Sequence, residues 1–256
     1  PLNIPSGWSI ISYLRTQPAS ADQVLGDINS NVIIAKNYLG LAYLPEFNYN
    51  GIGDMVPGEG YQIKLNEPDT LIYLANNMEY RISSIPTADT KTLWCKTPTT
   101  TDNNMTVVIP ENAWDKLPGN DAEIIVLDAL GQIVGCSKYT SPVTVVTLWG
   151  DDEMTSFKDG MYVGEQISLK LFENNISNDF IIEKWSEGSE VYEVNAINIS
   201  SSIITQSDGE HSDNVNNKSL VKIINLLGQE VNESTSEIGT ILFRIYDDGS
   251  VEKFIK

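Results

Sequence analysis

The chain has 256 residues, 41% of them apolar, and its 16 Lys and Arg stand against 35 Asp and Glu, a formal net charge of −19. That length suits one large β domain or two to three small ones. So negative a surface repels phosphate backbones and anionic lipid heads, which argues against nucleic acid and membrane surfaces as partners. No apolar run approaches the ~20 residues of a membrane-spanning helix. The sequence starts at Pro1 with no basic-then-apolar signal segment, and we read it as a fragment or mature portion of a longer protein.

Taken in order, residues 1–75 hold short β-rich runs, "GWSIISYL", "NVIIAKN", "LAYLP" and "GYQIKL". Between the first two, Ser20 or Asp22 is placed to cap a short helix ending near Gly26. Residues 91–200 continue with "NMTVVIP", "AEIIVLDALGQIVGCSKY", "VTVVTLWG", "QISLKLFE", "FIIEKW" and "VYEVNAI", with one helical turn expected in "PENAWDKLP". The Ser-, Asn- and Asp-rich stretch 196–218 reads as a linker, broken only by "IIT". The strands "LVKIINLL", "TILFRIY" and "VEKFIK" close the chain. The predicted fold is all-β: two or three small antiparallel β-sandwich (Ig-like) modules in tandem, with one or two short helices. Module boundaries are expected at 1–88, 89–200, a linker at 201–218 and a C-terminal module at 219–256.

One pattern recurs. "KNYLGLAY" (36–43), "LDALGQIVG" (127–135) and "INLLGQEV" (224–231) each set an Asn or Asp, two spacers and a Gly between two strands. The acidic or amide side chain starts a turn and Gly supplies positive φ, so these are hairpin connectors. "YDDGSV", with Gly249, uses a similar device.

Little points to catalysis. The one histidine, His211, lies in the polar linker, far from any arrangement that positions an imidazole. No nucleophile elbow, phosphate-cradling loop or zinc motif occurs, so the chain is not expected to be an enzyme and no cofactor is expected. A carboxylate-pair hydrolase stays formally open, since 35 acids always include some pair able to meet. In "WGDDEMTSFKDG" the simpler reading is an acidic loop; the functional one is a calcium site from Asp151, Asp152, Glu153 and Asp159, without EF-hand spacing. Cys95 and Cys136 fit no metal spacing, and two buried thiols or one disulfide both remain open.

Trp8, Trp94, Trp149 and Trp185 sit in alternating apolar runs and read as core or sheet-packing residues. Tyr43, Phe47, Tyr49 and Tyr61 cluster in sequence, and Trp114 looks loop-like. Facing solvent, Tyr43, Tyr49, Tyr61 and Trp114 would make a platform for sugar rings or a partner protein; packed inward, they would fill a small core.

The block "GWSIISYL…IIAKNYLGLAYLPEFNYNGIGDMVPGEGYQIKL" resembles a β module of surface and secreted proteins of Bacteroidota, over most of residues 6–65. The block from "NMTVVIPENAW" to "QISLKLFE" looks like a second module found beside it. The last block, "LVKIINLLGQEVNESTSEIGTILFRIYDDGSVEKFIK", resembles the C-terminal sorting domain of type IX secretion cargo. The matching positions include Asn225, Gly228, Gln229, Val231, Tyr246, Gly249, Val251, Lys253, Ile255 and Lys256; "TILFRIYDDG" departs from the family's usual glycine before the penultimate strand's aromatic. The resemblance implies export through the periplasm to the cell surface or medium, with the outer-membrane translocon and associated shuttle or sortase-like proteins as partners. The upstream modules are then expected to be structural or adhesive. The rival expectation is a carbohydrate-binding appendage, on a surface glycan, of a longer secreted hydrolase.

Overall fold

A computed structural model of the chain describes residues 1–76, 94–95, 98–174, 176–205, 220–225, 228–231, 241–246 and 251–255. It is mostly β, as expected, and divides into two compact units, Pro1–Ser207 and Asp208–Lys256. No helix among the described residues is long and apolar enough to cross a membrane.

The N-terminal part of the first unit carries β1 (Leu2–Ile4), β2 (Gly7–Ser12), β3 (Ala19–Ser20), β4 (Val32–Lys36), β5 (Ala42–Leu44), β6 (Tyr49–Asn50), β7 (Asp54–Met55), β8 (Gly60–Leu65) and β9 (Asp69–Leu71). Five of these form a sheet in the order β2-β8-β4-β5-β6, while β1 pairs with β9 and β3 with β7. Period-2 alternation sends Tyr61, Ile63 and Leu65 of β8 into a core with Ile11, Val32, Ala35 and Tyr43. The expected short helix is α1 (Ala21–Val24), followed by a 3-10 turn at Gly26–Ile28. Ser20 holds the N-cap position, but its hydroxyl bonds the Asp22 carboxylate and caps no backbone N–H.

The second expected module is a barrel, which corrects the sandwich prediction. Strands β10 (Asn104–Pro110), β11 (Glu123–Leu127), β12 (Ile133–Lys138), β13 (Val143–Trp149), β14 (Ser168–Glu173), β15 (Ile176–Glu187) and β16 (Ile197–Thr205) run β10-β13-β12-β11-β14-β15-β16 and close on themselves. Closure comes from β10, antiparallel to β13 on one side and parallel to β16 on the other, with Thr106 opposite Ile197 and Val108 opposite Ile199. A sandwich leaves strand edges unpaired, whereas closure gives those N–H and C=O groups partners. Met105, Val107, Ile109, Val146, Leu148 and Ile124 fill the interior. The turn expected in "PENAWDKLP" is a 3-10 turn at Glu111–Ala113. The predicted linker starts too early, because residues 201–205 belong to β16, where Ile203 is buried in the barrel core.

Strand β10 is buried on both faces. Its odd residues face the barrel core, while Val108 faces out into a third apolar cluster with Ile34, Ala42, Leu44, Val143, Val145 and Ile197. That seam fastens the N-terminal sheet to the outer wall of the barrel. The module boundary predicted at 88/89 lies outside the described residues.

The second unit contains β17 (Leu220–Asn225), β18 (Ile241–Tyr246) and β19 (Val251–Ile255), antiparallel in the order β17-β18-β19. In register, Ile224 pairs with Phe243, and Phe243 with Lys253.

Candidate functional site

The three sequence-predicted turns share one geometry. At Asp128 the backbone N–H donates to the Gln132 carbonyl at 3.0 Å, Gly131 N–H donates to the Asp128 carbonyl at 3.0 Å, and Oδ1 accepts from Leu130 and Gln132 at 2.9 and 2.8 Å. Asn37 repeats the set with Leu41, Gly40 and Leu39. Asn225 takes its N–H to the Gln229 carbonyl at 2.9 Å, and its Oδ1 accepts from Gln229 N–H at 3.0 Å. The glycines Gly40, Gly131 and Gly228 have φ of 75°, 77° and 76°. A side-chain acceptor at the first position and a left-handed glycine at the fourth account for the motif.

The residues matched to the sorting signal therefore fall in two places. Asn225, Gly228, Gln229 and Val231 build the turn after β17, and Val231 N–H returns to the Ile223 carbonyl at 2.9 Å. Tyr246 ends β18, while Val251, Lys253 and Ile255 lie on β19. Among the described residues β19 pairs only with β18. Gly249 and Lys256 lie outside the described residues.

The aromatic platform does not form, a correction to that expectation. Tyr43 and Tyr61 are buried in the N-terminal core and Trp114 in the barrel core, while Tyr49 packs on the seam between them. Tyrosine suits such sites because its ring fills the interior while its hydroxyl finds a partner at the rim. Tyr43 Oη donates to Asn29 Oδ1 at 2.6 Å, and Tyr61 Oη donates to Glu59 Oε2 at 2.9 Å while accepting from Val56 N–H at 2.8 Å. Burial, helped by the Asp22 charge, pushes the Tyr43 hydroxyl up to about 12. Trp114 packs against Tyr139 and Phe180, with centroids at 6.2 and 5.1 Å.

The acidic stretch behaves as a structured loop. Asp151 Oδ1 accepts from Asp159 N–H and Asp159 Oδ1 from Asp152 N–H, both at 2.9 Å, and Asp152 Oδ1 accepts from Met154 N–H at 2.8 Å. Glu153 is exposed. No three carboxylate, thiol or imidazole groups among the described residues converge as a metal site. The loop is anchored by Lys158, whose Nζ reaches Asp128 Oδ2 at 2.6 Å and Glu165 Oε1 at 2.7 Å. Burial alone would raise the Asp128 carboxyl, but Lys158 and the Gln132 and Leu130 N–H groups outweigh it and hold the group below its ordinary value.

The open choice at the cysteines resolves to a disulfide that ties Cys95 to Cys136 of β12. Glu123 Oε2 accepts from Trp94 and Cys95 N–H at 3.0 and 2.8 Å, and Trp94 stacks on Phe172 at 5.2 Å.

One cleft escaped the sequence reading. Strands β14 and β15 pair from Glu173–Ile176 to Leu169–Phe180 and then part, because β15 shifts register three times between Ile182 and Glu187 to stay with β16. Segment 190–192 pairs with 165–167 beyond the fork, Ile167 N–H donating to the Glu190 carbonyl at 2.9 Å. A cavity of about 780 Å³ lies at the fork, with Leu169, Ile182 and Trp185 among its apolar walls and Glu183 and Glu190 among its polar ones. Phe180 and Ile182 face inward at even positions, yet Trp185 packs on the core at an odd one. That break in period 2 across "IIEKW" is the one sequence signal for the bulged wall. No protein-family model matches the chain, and no curated protein or solved structure is significantly similar to it.

Proposed function

We propose that this is an exported, surface-displayed or secreted protein whose C-terminal unit is the address read by a type IX secretion translocon. The observation that carries the reading is the final strand, β19, which among the described residues pairs only with β18, behind the Asn225–Gly228–Gln229 turn that matches the motif. Residues 219–256 number 38, enough for only a thin sheet, so β19 contributes a large share of it. A strand paired on one side offers its other edge to strand addition by a receptor. The Cys95–Cys136 disulfide fits passage through an oxidising compartment. Shuttle or sortase-like proteins then act downstream of the translocon, and the first unit is the cargo, with a structural or adhesive role.

Deleting residues 251–256 in the producing cell tests this. The truncated chain is expected to accumulate in the periplasm with the first unit still protease-resistant. Normal appearance of that chain at the surface or in the medium overturns the proposal.

A further inference from the structure

The charges around the β14–β15 cleft are not balanced. Asp128 on its wall is taken by Lys158, and Asp179 by Lys170 at 2.5 Å. Glu183 accepts a hydrogen bond from Ser202 Oγ at 3.0 Å, but neither it nor Glu190 meets a cation among the described residues, and Lys184 does not line the cleft. Two carboxylates thus stand beside an apolar wall that includes the Trp185 ring, in a chain of net charge −19. A low-dielectric wall beside uncompensated negative charge concentrates cations and excludes anions. The indole face adds attraction for a cation, and Leu169 and Ile182 reward an apolar body attached to it. The volume is that of a small-molecule site.

We propose that this cleft binds a small organic cation: an ammonium or guanidinium group carried on an aliphatic or aromatic body. Its charged head meets Glu183 and Glu190, and its body lies against Trp185, Leu169 and Ile182. The fork exists because β15 follows β16 through its register shifts, so the site is set by the barrel backbone. The proposal concerns the first unit and does not rest on the export reading.

Isothermal titration of the full chain with phenethylamine and agmatine tests it, with phenylpropionate and maltotriose as comparison ligands. Saturable binding of the two amines is expected, weakening as salt rises, with neither comparison ligand bound. Glu183→Gln with Glu190→Gln should weaken amine binding about tenfold or more, a change of about 1.4 kcal/mol. Trp185→Ala should weaken it and Trp185→Phe should largely retain it; an unchanged thermal melt of the Gln variant confirms its fold. Absence of amine binding, binding indifferent to the double Gln change, or preference for maltotriose would each overturn the proposal.

Discussion

Lys36 Nζ donates to Asn104 Oδ1 at 2.6 Å within the seam between the N-terminal sheet and the barrel, where Lys36 is 1% exposed. The Trp8 ring lies 4.7 Å from the amine. Burial, with repulsion from Lys64, lowers the Lys36 amine from 10.5 to about 8. Between those values the unfolded chain holds the proton that the folded chain has lost, so stability rises with pH across that window. The full rise is at most about 3 kcal/mol. Urea unfolding at pH 7, 8, 9 and 10 should show it, and Lys36→Met should flatten it; a wild-type curve that is flat or falls from 8 to 10 refutes the assignment.

Two of the shared turns differ in their surroundings. A Cβ on Gly40 would lie 2.5 Å from Thr147 Cγ2, whereas one on Gly131 meets nothing within 4 Å. Gly131→Ala should cost only the left-handed strain, about 1–2 kcal/mol. Gly40→Ala should cost more, and adding Thr147→Ser, which removes Cγ2 and keeps the hydroxyl bonded to the Gly40 carbonyl, should recover part of the loss. Equal effects of the two glycine changes in denaturant melts would contradict the geometry.

Asp128 serves a turn and an ion cluster together, and Asn serves the same turn at positions 37 and 225. Asp128→Asn should therefore keep the turn and remove only the charge facing Lys158, while Asp128→Ala loses both, at about 3 kcal/mol or more. The Asp128 and Glu165 carboxyls are held below their ordinary values, so their stabilisation is present above about pH 4 and disappears as pH falls through the folded values. Acid unfolding should be shallower in Asp128→Asn/Glu165→Gln than in the parent.

The disulfide closes a loop with a sequence separation of 41. Chain-entropy arguments put its contribution near about 4 kcal/mol. Cys95→Ser/Cys136→Ser, or reduction of the parent, should lower the denaturant midpoint of the first unit, and an unchanged midpoint would show that the tether at Glu123 suffices alone.

The turns were legible because each depends on two residue types three positions apart, and the short helix and the β character on local pattern. Barrel closure was not, since Thr106 and Ile197 are neighbours only across a parallel pairing with no nearby signal. The tyrosines misled because a ring with a polar tip suits a core rim as well as a binding surface, and only burial of Tyr43 and Tyr61 decides between them. Trp185 was read as ordinary packing because the register shifts that open the cleft are set by its partner strand β16.

The parallel joint between β10 and β16 also has a temporal side. A chain that emerges from its N-terminus presents β10 about ninety residues before the strand that completes it, so six strands must wait as an open sheet. During synthesis the vulnerable species is that unclosed intermediate, with the N–H and C=O edge of β10 that β16 later covers left unpaired. Whatever guards this protein before it is finished has to guard that edge.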